Sequence, residues 1–244
     1  MYPNWLQSNL GKEALENQFV KISFSQNGED DIIRRHFWKR LLKGFVGSYL
    51  DIGCHHESCY SNTKLLHLFG WCGVAIDANP DIRDHWLSSR EGDLFMNIGI
   101  RPCSDSNVRG RMKFYRFKDT SSFLNTLDKS AVRKWIDMGH PLKDVVDIDT
   151  TTLYNLGKRI KLERPDFSPE FLNLDVEQVD FLPDLADFLQ LMSFPELVCI
   201  EWVSEKLNIY NFTNSPEFRI LEACGYQVRE ILGGNIFASN NWDI

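Results

Sequence analysis

What this sequence lacks removes several classes of protein at once. No apolar run approaches the ~20 residues that a bilayer-spanning helix needs, so a helical membrane protein is not expected. The opening MYPNWLQSNLGKEALENQ has neither a basic n-region nor an apolar h-region, so no secretory signal is expected and the cytoplasm is the expected compartment. Lys and Arg together number 27 against 34 acids, a formal charge of -7, and they are scattered. Nothing forms the basic stripe that a phosphate backbone requires, so nucleic acid is not an expected partner. The 6 cysteines fall at irregular intervals, which favours free thiols in a reducing compartment over a disulfide framework. No repeat, low-complexity tract or Pro/Gly/Ser linker divides the chain.

What is present suits one large α/β domain: 244 residues, 43% of them hydrophobic and 13% aromatic. GEDDIIRRHFWKRLLKGF (28–45) sets Ile32, Ile33, Phe37, Leu41 and Leu42 on one helical face, with acids in the first turn and Gly44 as a stop. SYLDIG (48–53) reads as a short buried strand, and SNTKLLHLFG (61–70) as a helix capped by Ser61 and Gly70. CGVAID (72–77) is a second strand, Pro80 opens a helix running to about Arg90, and LFMNIGI (94–100) is a third strand. Strands alternating with short helices imply right-handed crossovers, and continuous apolar strands imply a parallel sheet covered on both faces.

The middle differs. GRMKFYRF (110–117) alternates with period two, as an antiparallel or edge strand does; 126–138 reads as a helix and KDVVDID (143–149) as a strand, followed by a helix in TTLYNLGKRI. The alternation then resumes with PEFLNLD (169–175), a helix in VDFLPDLADFLQLM interrupted early by Pro183, ELVCIEW (196–202) and a helix at 215–225. YQVREILGGNIFAS closes as a hairpin across Gly233 and Gly234.

In an open parallel sheet the ligand sits beyond the carboxyl ends of the strands. That rule nominates Asp51 and Gly53, Asp77, Asn97, Asp175 and Glu201. Four are carboxylates, which at buried strand ends need hydrogen-bonding or cationic partners. Asp77 stands where a strand-end acid accepts hydrogen bonds from the two hydroxyls of an adenosine ribose. A dinucleotide would also need close-set glycines, whereas after Gly53 none comes before Gly70. An adenosine ligand without phosphates fits better, and S-adenosylmethionine is the common one. Cys54, His55, His56 and Cys59 have neither the C-x₂-C nor the H-x₃-H spacing of zinc sites, so no metal is expected. A histidine here acts beside the ligand as base or orienter, or is simply hydrogen-bonded within the loop.

SQNGEDDII (25–33), the block at 47–80, the Asn97 strand, FYRF (114–117), TTLYNL and FLNLDVEQVDFLPDL followed by LVCIEW together resemble the FkbM-type methyltransferases, over roughly residues 22 to 205. The resemblance implies a class I S-adenosylmethionine-dependent methyltransferase fold: a Rossmann-like, mostly parallel seven-stranded sheet with helices on both faces and an antiparallel C-terminal strand. It implies one domain over 1–244, with 1–45 as an N-terminal helical extension and 101–150 as an insert. It further implies methyl transfer to a hydroxyl of a sugar, polyketide or related small metabolite. Asp51 and Gly53 then form the cofactor loop, joined by Gln26 and Glu29 of the first block and by Asn97, and Asp77 takes the ribose. The helix start at Ser61 and Asn62 faces the cofactor's carboxylate. Asp175 and Glu177 belong to the family's Asp-Val-Glu-Gly block, whose glycine is Gln178 here.

A neutral hydroxyl is a poor nucleophile, so a base is expected: Glu177 or His55, with His56 behind them. Substrate choice is expected from the helix at 28–45 and the insert. Two rivals remain at this point: a nicotinamide-dependent oxidoreductase on a similar sheet, disfavoured by the missing glycines, and a non-catalytic cofactor-binding protein, suggested by Gln178.

Overall fold

The computed structural model describes residues 22–103, 110–118, 123–176, 181–202 and 212–241. Its main sheet has seven strands. In chain order they are β1 (Ser48–Ile52), β2 (Cys72–Asp77), β3 (Leu94–Asn97), β7 (Phe171–Leu174), β8 (Leu197–Glu201), β9 (Gln227–Leu232) and β10 (Asn235–Ser239). They lie in the order β3-β2-β1-β7-β8-β10-β9. Pairings from β3 through β8 are parallel, and β10 runs antiparallel to both β8 and β9. This is the class I methyltransferase arrangement that the resemblance implies, with the reversed strand supplied by the hairpin at Gly233 and Gly234.

Both faces of the sheet are covered, which is why its strands read as unbroken apolar runs. On β1, Leu50 and Ile52 point into a core shared with α5 (Leu153–Glu163), α6 (Leu182–Leu191) and α7 (Pro216–Ala223). Tyr49, just before Leu50 and so on the other face, joins the opposite core with Trp71, Phe171 and helix α1 (Glu29–Leu41). α1 buries Ile32, Ile33, Phe37 and Leu41 there, while Leu42, expected on the same face, lies past the helix end and is 55% exposed. Among the described residues no helix is long and apolar enough to cross a membrane.

Three expected elements are revised. The helix opening at 61–70 shortens to α2 (Lys64–Leu68), yet Ser61 keeps a capping role, since its Oγ accepts from the Lys64 amide at 3.2 Å. Pro183 does not interrupt its helix: it sits in the first turn of α6, where its missing N–H leaves no intrahelical bond unmade. The strand expected over 94–100 divides into β3 and β4 (Gly99–Ile100). The side-chain amide of Asn97 donates back to the carbonyls of Asp77 and Ala78, and the chain then leaves the main sheet. β4 pairs with β6 (Leu142–Thr151), which pairs antiparallel with β5 (Arg111–Phe117), so the middle of the chain builds a separate three-stranded sheet. Helices α3 (Arg83–Ser89), after a 3₁₀ turn at Pro80–Ile82, and α4 (Lys129–Asp137), capped by Asp128 through the Ser130 amide, complete the described elements.

Candidate functional site

A cavity of about 600 Å³ lies over the carboxyl ends of β1, β2, β7 and β8, with the small sheet as its roof. Gly53 makes its floor. At φ 82° it is in the left-handed region, and a Cβ there would stand 1.7 Å from the carbonyl oxygen of Asp175. Backbone thus meets backbone where β1 and β7 end, and only glycine permits the approach. The amides of Gly53 and Cys54 both donate to the Ile76 carbonyl, at 2.9 and 3.1 Å, tying the turn to β2.

At the end of β2, Asp77 accepts from the Asn79 amide on Oδ1 (2.7 Å) and from the His55 amide on Oδ2 (2.8 Å). Burial raises its pKa to about 6, against the opposing pull of those two amides. His55 itself is a non-glycine residue at φ 51°, a conformation costing on the order of 1 kcal/mol that the bond to Asp77 helps to hold.

Asp51 is buried on the cavity wall. Its Oδ2 accepts from Thr63 Oγ1 (2.6 Å) and its Oδ1 from Asn173 Nδ2 (2.9 Å), while Asn173 Oδ1 accepts from Asn62 Nδ2 (2.9 Å). Burial pushes the Asp51 carboxyl up, and the Thr63 and Asn173 bonds and the nearby Arg90 pull it down.

Arg90 is the cation of this region, with only 1% of its surface exposed. It donates to the Glu57 carbonyl, the Tyr49 hydroxyl and Ser61 Oγ, and its guanidinium lies 4.7 Å from the centre of the Trp86 ring. The Tyr49 hydroxyl donates to Asp93, which also accepts from Trp86 Nε1 and the Gly73 amide. Two carboxylates, the buried Asp51 and the partly buried Asp93, therefore flank one buried guanidinium, joined to it through hydroxyls. Sequence reasoning misses Arg90 and Asp93 altogether. Asn173 left a signal, a polar residue inside the apolar strand FLNL.

Of the residues expected at the site, Asp51, Gly53, Asp77 and Asp175 line the cavity, as do Gln26, His55, Ser61 and Asn62, and also Glu201. Three others do not. Asn97 uses its amide in bracing the exit of β2. Glu29 is buried under the Gly233 turn, where its carboxylate accepts from the Asn27 amide and from Asn235 Nδ2. His56 closes the loop, its Nδ1 accepting from the Ser58 and Cys59 amides when neutral; protonated, that nitrogen would instead face Glu57, 3.1 Å away. Glu177 and Gln178 lie outside the described residues. Among those described, no three His, Cys, Asp or Glu side chains converge as metal ligands.

The roof comes from the insert, with Phe114 of β5 and the stretch from Asn125 to Lys129 facing the floor. At the mouth the rings of His55 and Phe123 lie 4.6 Å apart and those of Phe123 and Tyr60 5.1 Å apart. Burial first, and the neighbouring His56 second, lower the pKa of His55, so its imidazole is neutral at pH 7. α1 takes no part in the cavity wall. Its apolar face is spent on the sheet, and among the described residues ahead of it Gln26 alone reaches the site.

No protein-family model matches the chain, and no curated protein does. Among solved structures the chain is similar to the fibrillarin pre-rRNA processing protein of Methanococcus jannaschii. The TM-score is 0.40 and the identity 10%, over 79% of this chain and 66% of that one, just under two thirds of its length. So distant a likeness decides nothing about this chain's activity.

Proposed function

We propose that the protein is an S-adenosylmethionine-dependent methyltransferase that methylates a hydroxyl group of a small molecule, in the manner its motifs share with the FkbM-type enzymes. The observation that carries this reading is Asp77. It stands at the end of β2, with both carboxylate oxygens anchored by backbone amides, in one cavity with the glycine turn of β1. A carboxylate so fixed keeps acceptor capacity for a ribose diol. The cavity volume of about 600 Å³ falls within the ordinary range of small-ligand sites and leaves room for an acceptor beside a nucleoside.

Bound there, the cofactor would supply a methyl group already activated on a sulfonium. The remaining tasks fall to the protein. Gly53 and the amides around it shape the floor, Asp77 takes the ribose, and Ser61 and Asn62 offer polar contacts at the start of α2. The insert excludes water from above. His55, neutral and half-buried, has a nitrogen available to accept a proton from an acceptor hydroxyl.

Calorimetry with S-adenosylhomocysteine and with NAD tests the reading. Micromolar binding of the former and none of the latter is expected, and binding of NAD alone would sink it in favour of an oxidoreductase. Turnover then follows with a panel of sugars and alcohols. His55→Ala is expected to keep cofactor binding while lowering turnover by at least ~100-fold.

A further inference from the structure

The rim of the sheet carries one acid per strand: Asp77 on β2, Asp51 on β1, Asp175 just past β7 and Glu201 on β8. Three of the four are already engaged. Asp77 accepts from two amides, Asp51 from Thr63 and Asn173, and Asp175 also has an interaction of its own. Glu201 differs. It lines the cavity, yet its buried Oε2 has no hydrogen-bond partner among the described residues. A carboxylate oxygen withdrawn from water without a donor is costly, and such atoms are rare in folded chains. The acid is in reach of whatever fills the cavity beside it.

Its place in the strand order says what that is. Neighbouring strands stand about 4.8 Å apart, so Glu201 lies three strand spacings, roughly 14 Å, from Asp77. That exceeds the reach of the ribose, and the floor between is made by Gly53 and Asp175. Resting on the proposed function, we infer that Glu201 is the acceptor-side carboxylate: it accepts a hydrogen bond from the substrate's hydroxyl and orients that oxygen toward the donor. The acceptor accordingly presents an uncharged or cationic hydrogen-bond donor at β8, and a carboxylate or phosphate there is rejected.

Sinefungin tests this without knowledge of the acceptor, because it carries an ammonium in place of the methyl-bearing sulfonium. The wild-type protein is expected to bind sinefungin about tenfold more tightly than S-adenosylhomocysteine, through attraction between the ammonium and Glu201. Glu201→Gln is expected to abolish that margin while leaving affinity for S-adenosylhomocysteine within about twofold. Glu201→Asp, which keeps the charge, retains part of the margin. Thermal unfolding of Glu201→Gln should occur at or above the wild-type temperature, since a structural carboxylate would leave donors unpaired and the buried Oε2 of this one accepts from none among the described residues. A margin unchanged in Glu201→Gln, or a marked fall in its unfolding temperature, overturns the assignment. Failure of both ligands to bind the wild-type protein overturns the function on which it rests, a separate result.

Discussion

Arg90 Nη2 donates to Ser61 Oγ at 2.7 Å, and Ser61 Oγ in turn accepts from the Lys64 amide. One buried guanidinium thus fixes where α2 begins, and with it the positions of Ser61 and Asn62 on the cavity wall. The same side chain holds Glu57 by its carbonyl, so the loop from β1 to α2 is pinned near its middle and near its end.

Replacing Arg90 by Met keeps much of the volume and removes the charge and all the donors. Asp51 and Asp93 then lose their shared cation, and Tyr49 and Ser61 lose partners. Removing one member of such a buried arrangement costs about 3–5 kcal/mol. Urea unfolding should show a loss of that order, with affinity for S-adenosylhomocysteine falling as well. A loss below about 1 kcal/mol would mean that the network is not coupled to the fold.

Gly53→Ala should be far more damaging than another substitution at a left-handed glycine. Its Cβ would overlap the Asp175 carbonyl, a backbone atom that cannot turn aside. Gly70→Ala, also at positive φ, meets nothing closer than a Val46 methyl at 3.9 Å, so its cost is conformational, about 1 kcal/mol. Unfolding temperatures should rank wild type above Gly70→Ala and Gly70→Ala well above Gly53→Ala. Only Gly53→Ala should also lose the ligand.

The rim was legible in the sequence because strand ends are. An apolar run that stops at an acid or a glycine marks the carboxyl edge of a parallel sheet, and Asp51, Gly53, Asp77 and Asp175 all carry that mark. The reading fails where a side chain's use depends on a distant element. Asn97 looks like a rim residue, but its amide is taken by the carbonyls of Asp77 and Ala78. Arg90, in SSREGD, has the look of a solvated helix end; nothing local says that Trp86 stacks on it and Tyr49 hydrogen-bonds to it. The helix at 28–45 has an apolar stripe, and a stripe alone does not distinguish a wall of the site from a cover for the sheet.

Asn173 links Asn62 to Asp51, and its replacement tests that link by pH. Asn173→Leu leaves the Asn62 amide and one Asp51 oxygen without their partners, a loss of about 1–3 kcal/mol. Asn173→Asp sets a second carboxylate beside one whose pKa burial already raises. One of the two must then hold a proton in the folded state, while both ionise when unfolded. The penalty is therefore absent at low pH and grows as pH rises from about 4 toward 7. Urea midpoints relative to wild type should fall over that range for Asn173→Asp and stay level for Asn173→Leu.

Asp77 makes the affinity for cofactor pH-dependent in a direction that can be worked out. Its pKa without ligand is about 6, raised by burial. Ribose hydroxyls donate to the ionised carboxylate and favour it, so binding lowers this pKa and a proton competes with the ligand. Affinity is full above pH 7 and falls as pH drops through 6, by at most tenfold per unit. Below the pKa of the bound form the decline levels off, because both states then hold the proton. Asp77→Asn lacks the titration, so it should bind weakly at every pH with a flat profile between 5 and 8. Calorimetry with S-adenosylhomocysteine across that range checks both curves. A wild-type profile as flat as that of Asp77→Asn would place the ribose elsewhere.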